Sequence, residues 1–423
     1  MRSQLHFDAV VIGGGMAGLT AGTRLAQAGA KVAVLAKGHG STHLSPGTID
    51  VLGYTPERVW SPAEALPRLI AERPGHPYAL VGADAVSESL GWFADCAAHG
   101  PLPSYEYVGG IERNLSIPTA MGVLRPSAMV PSTMAAGEPS QLHRVAIVSV
   151  PALREFHPAL CAANLTATGI EARGVSLQMT MERADMNPLG MAWHFDDPAW
   201  RGHFCAQLLP MLRTEDHVGL PAMLGAKDPA GVVADLERRL GRKVFEIPTL
   251  PPSVPGIRRY EILRSALRGA GGRLVLGGDV IAHERSGSRV ASVSTHAAGR
   301  ELAYLADWFV LASGGFASGA IELDSHWVTH ERVLELPLRG VPEAGRPRFE
   351  REYLSEQPLA TAGVAVDGEL RAEGTENVFV AGASLPGATP WREGSGEGIA
   401  LATGYAAAAT IAGGLRTKEG LAS

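Results

Sequence analysis

Three glycines near the start of the chain have the spacing of a phosphate-binding turn. Gly13, Gly15 and Gly18 follow an apolar run of strand length and precede a segment with helical character. In such a turn the first glycine allows a tight bend, the second lets the backbone approach a phosphate, and the third lets the helix pack on the strand. The free N–H groups at the helix N-terminus then bind the phosphate. Because residues 20–27 read as that helix and 31–36 as a second buried strand, the sequence predicts a nucleotide-type cofactor; a plain βαβ unit is the alternative.

The loop after the second strand departs from the usual pattern of such folds. They commonly end this strand with Asp or Glu, which accepts a hydrogen bond from a ribose hydroxyl. Here Ala36 and Lys37 occupy that place, and the polar residues Ser41 and Ser45 follow. These hydroxyls are predicted to line the edge of the cofactor ring, with an ordinary polar loop as the alternative interpretation.

A second glycine-rich helix N-terminus lies at the other end of the chain. A strand at 377–381 ends in small residues, and residues 394–398 open a long helix predicted over 399–412. The positive end of that helix would stabilise a ring that gains negative charge on reduction, which is what a flavin requires. An apolar strand at 308–312 also ends in glycines, which suggests that the chain has returned to the first domain. The residues predicted to bind the cofactor are Gly13, Gly14, Gly15, Met16, Ala17, Gly18, Lys37, Ser41, Ser45, Gly47, Gly314, Gly382, Ser384, Gly396 and Gly398.

Several cationic side chains are candidates for binding an anionic substrate. Residues 248–257 are rich in proline, which fixes φ and removes N–H donors, so they predict a rigid loop that presents Arg258 and Arg259. Guanidinium groups bind phosphate bidentately, and Arg125 and Arg392 are further candidates. Because imidazole titrates near neutrality, His43 is the predicted general base; Arg258 is predicted to act with it at the reacting centre. For each arginine, a surface or structural ion pair is the alternative.

Composition excludes several classes of protein. The net charge of −6 over 423 residues gives no basic surface for nucleic acid. Cys96, Cys161 and Cys205 are far apart, so the chain is not expected to hold a zinc or iron–sulfur site by itself, and no metal site is predicted. The first six residues are too short for the apolar part of a signal peptide, and the alanine-rich stretch 399–412 reads as a buried helix. A soluble cytoplasmic protein is therefore expected.

The predicted fold is α/β, a Rossmann-like FAD/NAD(P)-binding flavoprotein fold with an inserted second α/β domain. Residues 1–75 and 246–423 are assigned to the flavin-binding domain. Residues 76–245 are assigned to the inserted domain for substrate or partner, because strand-like and helix-like segments alternate again between 144 and 247.

These features resemble the two-dinucleotide-fold flavoproteins, the class that includes fumarate reductase. Three further segments, 43–52 (HLSPGTIDVL), 76–82 (HPYALVG) and 250–258 (LPPSVPGIR), are similar to segments of the B-type subunit family of anaerobic glycerol-3-phosphate dehydrogenases. They occur in the same order and span nearly the whole chain. The proline-rich string is the most specific of the three.

The resemblance implies oxidation of sn-glycerol 3-phosphate to dihydroxyacetone phosphate, with electrons passed toward quinone in fumarate or nitrate respiration. In that family the partners are an FAD-bearing, catalytic A-type subunit and an iron–sulfur, membrane-associated C-type subunit, so peripheral attachment to the inner membrane is expected. The B-type subunit is ascribed FMN, with FAD as the alternative, and Lys37 would also suit the 2′-phosphate of NADP. Two other functions stay open: a non-catalytic flavin relay or docking subunit of the same complex, and a stand-alone flavin oxidoreductase of another small acid.

Overall fold

The computed structural model describes residues 3–179, 181, 185–297, 300–343 and 345–422 of the chain. Within these residues lie two larger sheets, one of seven strands and one of four, with several short two-stranded ribbons. The strands are, in chain order, β1 (Ser3–Ile12), β2 (Val32–Ala36), β3 (Tyr107–Gly109), β4 (Leu115–Pro118), β5 (Leu124–Ser127), β6 (Met129–Pro131), β7 (Arg144–Ser149), β8 (Glu171–Ser176), β9 (His217–Pro221), β10 (Lys243–Ile247), β11 (Arg273–Leu276), β12 (Val280–Ser286), β13 (Arg289–Ala297), β14 (Arg300–Leu311), β15 (Ile321–Leu323), β16 (Thr329–Glu331), β17 (Leu338–Arg339), β18 (Gly363–Val364) and β19 (Val378–Val380).

The helices cover the faces of these sheets and carry most of the connections. They are α1 (Met16–Gln27), α2 (Pro62–Glu72), α3 (Pro77–Ala98, with a break at Gly82), α4 (Ser132–Ala135), α5 (Pro158–Thr166), α6 (Pro188–Phe195), α7 (Pro198–Leu208), α8 (Pro229–Leu240), α9 (Val254–Gly269), α10 (Pro390–Glu393) and α11 (Gly396–Ala422).

The seven-stranded sheet holds the predicted phosphate-binding turn at its centre. Its order is β11-β2-β1-β14-β13-β12, and β19 also pairs with β14. Strand β1 is parallel to β2 and to β14, so Val11 pairs with Val34 on one side and with Val310 on the other. Because parallel strands end at the same edge, the glycines after β1, β14 and β19 meet there. Through β14 the chain thus returns to the sheet that begins with β1, after the segments between them.

The four-stranded sheet has the order β10-β9-β7-β8, and all its pairings are parallel. A separate apolar core from Leu142 to Ile247 packs on it. This sheet is inserted between parts of the first one, as predicted. Helix α3 lies outside that core: Tyr78 and Phe93 are fully buried in the core of the first sheet. We therefore propose that the inserted unit begins well after residue 76.

Helix α9 begins six residues earlier than the predicted helix at Tyr260. The hydroxyl of Ser253 accepts a hydrogen bond from the N–H of Gly256 at 3.1 Å, and Pro255 stands in the first turn, where no N–H is needed. The last residues of the proline-rich stretch therefore form the first turn of a helix. The rigid loop predicted over 248–257 ends before Val254. Arg258 and Arg259 consequently lie on the helix and not on a loop.

The long C-terminal helix α11 packs closely on α1. A Cβ on Gly404 would lie 2.4 Å from the backbone oxygen of Ala17, so only glycine allows this approach. Residues Gly396–Leu415 are long and apolar enough to cross a membrane by length and composition, but half of that stretch is buried inside the protein. A buried core helix also meets this description, which agrees with the interpretation drawn from the sequence.

Candidate functional site

The first glycine-rich turn has the close contacts that the spacing predicts. Gly13 has φ of +121°, and a Cβ there would lie 2.1 Å from the oxygen of Ala312. A Cβ on Gly18 would lie 1.9 Å from the oxygen of Gly13, so the helix can start this near the strand only with glycine. A Cβ on Gly14 would clash with Ala36, while Met16 and Ala17 are buried in the first turn of α1.

Gly15 differs from its neighbours because nothing in the protein requires it to be glycine. Its φ of −78° and ψ of −173° are open to any residue, and a Cβ there would meet no protein atom within 4 Å. The space beside it faces the N-terminus of α1, where N–H groups lack helical partners. This is the cradle that a phosphate would fill, so the residues present fit a nucleotide-type cofactor.

Two other glycine turns adjoin the first. Gly382 has φ of +73°, and a Cβ on it would lie 2.9 Å from the Cβ of Ala17. Ser384 donates a hydrogen bond from Oγ to the oxygen of Gly314 at 2.9 Å, which ties the ends of β14 and β19 together. In the described chain, the buried Oγ of the adjacent Ser313 has no hydrogen-bond partner. The structure thus brings Gly13–Gly18, Gly314, Gly382 and Ser384 together at one sheet edge.

The loop after β2 contacts the phosphate-binding turn, although not all its predicted residues face it. A Cβ on Gly40 would lie 3.1 Å from the Cα of Gly15. Lys37 is exposed and pairs with Asp279 at 3.5 Å, and Ser41 is also exposed. Ser45 accepts a hydrogen bond from Arg259. Their roles toward a cofactor stay predictions.

Of three further glycines with a predicted cofactor role, two have a competing local explanation. A Cβ on Gly47 would lie 2.3 Å from the Cβ of Pro255. A Cβ on Gly398 would lie 2.3 Å from the hydroxyl of Tyr78. Gly396 at the start of α11 would make only an ordinary contact. For Gly47 and Gly398, close packing accounts for the absence of a side chain.

The structure contradicts the prediction that Arg258 binds substrate and acts at the reacting centre. Its side chain is 2% exposed and forms an ion pair with Glu246 of the second sheet, with Nη1–Oε2 at 2.6 Å and Nη2–Oε1 at 3.1 Å. Its other donors reach the backbone oxygens of Leu224 and Gly225, at 3.1 and 2.6 Å from Nη2. Burial lowers the pKa of Arg258, but the charge of Glu246 outweighs it and the net direction is upward. With all its donors occupied, Arg258 joins the two sheets and is not free for a phosphate.

Arg259 and Arg125 belong instead to one buried charged cluster. Arg259 donates to the backbone oxygen of Thr48 and to Oγ of Ser45, both at 2.5 Å, and lies 3.6 Å from a carboxylate oxygen of Glu397. Arg125 donates from Nε to Oδ2 of Asp50 at 2.8 Å and also from Nη2. Two guanidinium groups and two carboxyl groups from four distant segments therefore meet.

A cavity of about 300 Å³ opens on this cluster. Arg125, Thr48 and Ser127 form its polar wall. The rest of its lining is mostly apolar and comes from three segments, 44–46, 117–121 and 248–251. A wider groove of about 720 Å³ lies along α8 and β10, but its lining belongs entirely to the inserted unit, residues 214–243. The smaller cavity is the candidate substrate site, because its wall residues 44–48 belong to the loop after β2, whose Gly40 lies against Gly15 of the glycine turn.

His43 does not line that cavity. Its ring stacks on His39 at 4.5 Å between centroids and meets the edge of Tyr260 at 4.8 Å. Burial, followed by the charge of His39, lowers the pKa of His43, so its ring is neutral near pH 7. Among the described residues its buried Nε2 has no hydrogen-bond partner. The ring can thus accept a proton, and its role as base stays a prediction.

Arg392 lies apart, on the surface helix α10. Its guanidinium donates to the backbone oxygen of Leu354 and stacks over Trp391 at 4.9 Å. Its predicted role in substrate binding is not tested by these contacts. No group of three or more potential metal ligands occurs among the residues that the structure describes.

Reasoning from the sequence missed Asp50, Glu397, Thr48 and Ser127. Asp50 interrupts the apolar run Ile49-Asp50-Val51-Leu52, and Glu397 stands between two glycines. Carboxylates are seldom buried without a partner, so an acidic residue in such a setting is a usable signal of a buried charged site.

Comparison with known proteins agrees with this geometry. The model of the FAD binding domain family matches residues 8–399. A probable B-type subunit of anaerobic glycerol-3-phosphate dehydrogenase from Halobacterium salinarum is 32% identical over 431 aligned residues, which cover 96% of this chain and 98% of the relative. The B-type subunit of the same enzyme from Vibrio cholerae serotype O1 is 31% identical over 428 residues, covering 96% and 97%.

Among solved structures, the chain is similar to 3-ketosteroid Δ1-dehydrogenase from Sterolibacterium denitrificans, with 13% identity and a TM-score of 0.46 over 97% of this chain and 100% of that one. A quinol fumarate reductase chain from E. coli gives 10% identity and a TM-score of 0.45, over 97% and 70%.

The family match and the relatives extend over nearly the whole chain. Because the family is defined by FAD binding, the match indicates that the glycine turns bind a flavin. The relatives are named as subunits, which implies an assembly of several chains. The chain therefore belongs to the B-type subunit family of anaerobic glycerol-3-phosphate dehydrogenases, within the FAD-binding-domain flavoprotein oxidoreductases.

Proposed function

We propose that this chain is a flavin-bearing subunit that oxidises sn-glycerol 3-phosphate to dihydroxyacetone phosphate and passes the electrons toward quinone. The observation that carries the proposal is the cavity of about 300 Å³ that has the guanidinium of Arg125 in its wall. Residues 44–48 of its lining continue the loop whose Gly40 lies against Gly15 of the glycine turn. Its size and mostly apolar lining with a few polar groups are those of a small-molecule site. The relatives' names supply the substrate.

In this proposal Arg125 binds the substrate phosphate. Its side chain is 43% exposed, so part of the guanidinium faces the cavity while Asp50 holds the rest. A guanidinium fixed by a carboxylate is already oriented for a phosphate dianion and loses little freedom on binding. Arg259, only 1% exposed, lies behind it and supports the wall through Thr48.

A bound flavin would supply two-electron oxidation of the substrate alcohol. The turn Gly13–Gly18 would hold its phosphate, and the turns at Gly314 and Gly382–Ser384 would border the remainder. The N-terminus of α11 adds the positive end of a helix dipole to the same region.

The experiment is a spectrum of the purified chain before and after anaerobic addition of glycerol 3-phosphate. Bleaching of a bound flavin is expected. A flavin that bleaches only when a reduced partner protein is added would support the relay function instead. Bleaching by another small acid, with none by glycerol 3-phosphate, would support a stand-alone oxidoreductase.

We further propose that the flavin is FMN. No carboxylate follows β2 to accept a ribose hydroxyl, and Lys37 stands there instead, paired with Asp279. The family's name and the glycine spacing favour FAD, whose pyrophosphate such turns ordinarily bind. Acid release of the cofactor followed by mass measurement decides between them: stoichiometric FAD, or NADP, would overturn the FMN assignment.

The proposed partners follow from the relatives' description as subunits. They are an FAD-bearing A-type subunit and an iron–sulfur C-type subunit, the latter attaching the complex to the inner membrane, with this chain on the cytoplasmic side. Co-purification of the tagged chain with both partners is the expected result. Recovery of the chain alone from gently solubilised membranes would argue against the assembly.

A further inference from the structure

The segment between β17 and β18 is long and irregular. Residues 340–343 and 345–362, which the structure describes, contain no helix or strand. Loops of this length without secondary structure in a compact domain usually either have a function or are disordered. The part from 349 to 357 is held by hydrogen bonds, so a function is the explanation that fits it.

Gln357 closes this loop into a fixed turn. Its Oε1 accepts a hydrogen bond from the N–H of Glu350 at 2.9 Å, and its Nε2 donates to the backbone oxygen of Glu352 at 3.0 Å. From outside the loop, Arg392 of α10 donates to the backbone oxygen of Leu354. Because the loop backbone is fixed in this way, its side chains lose less freedom when they are covered by a partner.

Large apolar side chains are exposed on this loop and beside it. They form what we call the aromatic patch: Trp327, Val328, Phe349, Tyr353, Leu354 and Trp391. Tyr353 and Leu354 are 87% and 77% exposed, more than any other large apolar side chain of the described residues. The patch is continuous, because the rings of Trp327 and Phe349 lie 6.2 Å apart and Arg392, which binds Leu354, stacks over Trp391.

The aromatic patch has the area of an interface. Each of its four aromatic side chains is more than half exposed. Since an aromatic side chain has roughly 150–250 Å² of surface, these four leave about 500 Å² in contact with water. Soluble monomers seldom expose a continuous apolar area of more than a few hundred Å². One partner in a stable complex contributes about 800 Å², so the patch supplies most of one side of such an interface.

The charges around the patch favour a protein over a membrane surface as the occupant. The loop exposes the guanidinium groups of Arg346 and Arg351 together with the carboxylates of Glu350, Glu352 and Glu356. A loop that docks on anionic lipid carries a clear excess of Lys and Arg. An aromatic centre with a polar rim of both signs is instead the anatomy of a protein–protein interface.

The shape of the patch defines what the partner must present. Tyr353 and Leu354 project from the loop, whereas Trp327 and Phe349 line a groove of about 650 Å³. The partner surface therefore needs an apolar hollow for the first pair and an apolar projection for the groove. The relatives of this chain are named as subunits, which makes a different chain of the same assembly the occupant that fits.

We propose that the aromatic patch is the surface on which another subunit of the assembly docks. This deepens the proposed function and rests on it for the existence of the assembly. Helix α10 carries Trp391 and ends at Glu393, and α11 begins at Gly396. Five residues separate Trp391 from Gly396, a span of at most about 18 Å. The docked subunit is thus held close to the helix N-terminus that the proposed function assigns to the flavin.

The test is recovery of co-expressed A-type and C-type subunits with the full, tagged chain. The double variant Tyr353→Ser with Leu354→Ser, and separately Trp391→Ser, should weaken the binding of at least one subunit roughly 10- to 100-fold. Flavin content and unfolding temperature should match the wild type, because these side chains are exposed. The matched control is Trp60→Ser, since Trp60 is equally exposed and has Arg58 over its ring at 4.7 Å, as Trp391 has Arg392.

Several results would overturn the proposal. Both variants might recover the two subunits as the wild type does, or the wild type might recover neither. Sedimentation of the isolated chain as a dimer that the double variant breaks would show that a second copy covers the patch. Binding to phosphatidylglycerol vesicles that the double variant loses would show that a membrane does. An assembly that forms through the patch but does not oxidise glycerol 3-phosphate would reject the proposed function and support the docking surface.

Discussion

At the scale of single residues, two adjacent arginines on α9 reach different parts of the molecule. Successive residues on a helix point about 100° apart, so Arg258 turns to Glu246 and Arg259 turns to Glu397. The sequence predicted that both bind substrate, because guanidinium after a proline-rich string favours a phosphate site. It offered no means of finding the buried Glu246, which a different sheet places beside Arg258.

We expect replacement of Arg258 to lower stability and to leave substrate affinity unchanged. Arg258→Met leaves Glu246 buried without its partner, which costs about 3–5 kcal/mol in the free energy of unfolding. The double variant Arg258→Met with Glu246→Leu should recover much of that loss. Urea unfolding measures both, and Arg264→Met, which breaks a partly exposed pair with Glu261, is a control expected to cost less than about 1 kcal/mol.

An Arg258→Met variant with an unchanged free energy of unfolding and a raised KM for glycerol 3-phosphate would contradict this expectation. It would instead support the role of Arg258 in substrate binding that the sequence predicts.

Gly15 gives a second prediction at this scale. Its backbone suits any residue and its Cβ would enter empty space, so Gly15→Val should fold normally and lose the flavin. Flavin absorbance per folded chain is the measurement. Gly91→Val is the matched control, since Gly91 also has open space around it but lies on the exposed face of α3. Full flavin content in folded Gly15→Val would show that no phosphate lies beside this residue.

At the scale of elements, a buried carboxylate fastens the short helix α10 to the start of α3. Glu393 accepts hydrogen bonds from Nη2 of Arg73 at 2.9 Å, the hydroxyl of Ser395 at 2.8 Å and the backbone N–H of Thr389 at 3.1 Å. It also contacts Nε2 of the fully buried His76 at 3.2 Å. The contact itself joins residues 317 positions apart.

We expect this contact to make stability depend on pH. Burial raises the pKa of Glu393, but hydrogen bonding from His76 and its charge outweigh that, and the net value is lowered to about 2. Because the folded value lies below the unfolded one, the stabilisation is present above the unfolded pKa and is lost as pH falls from about 5 toward 2. The shift from 4.5 corresponds to about 3 kcal/mol.

Unfolding free energies measured across that pH range test the expectation. Glu393→Gln should be less stable at neutral pH and should show a flatter decline toward acid, whereas Glu88→Gln, which changes an exposed side chain on α3, should follow the wild-type curve. Identical slopes for wild type and Glu393→Gln would mean that other carboxylates account for acid unfolding.

At the scale of the whole molecule, the protein has two sheets with separate cores. The candidate substrate cavity is lined by the loop after β2 of the first sheet, by residues 117–127 and by the proline-rich segment after β10 of the second sheet. The α/β class and the inserted sheet could be predicted, because alternating strands and helices are a local pattern. The residue at which the inserted unit begins could not be predicted from the sequence. Helix α3 looks like any amphipathic helix, and the elements on which it packs, such as α11, come from the far end of the chain.

A cofactor that binds only the folded chain should stabilise the whole protein. Flavin at about 100 times its dissociation constant is expected to add about 2.7 kcal/mol to the free energy of unfolding. Calorimetry of cofactor-free chain with and without FMN measures the effect, and Gly15→Val should show none. A wild-type unfolding temperature that does not move with FMN or FAD would contradict the proposed cofactor site.

The pairing of charges behind the cavity also bears on how this protein can change over time. Asp50 with Arg125 and Glu397 with Arg259 set two acidic side chains against two basic ones, and all of them except Arg125 are at most 17% exposed. Loss of one member leaves its partner uncompensated, so single replacements are selected against even where the chemistry would tolerate them. Lineages should therefore alter these positions two at a time, and a relative that has lost Arg125 is expected to have lost the acid at position 50 as well.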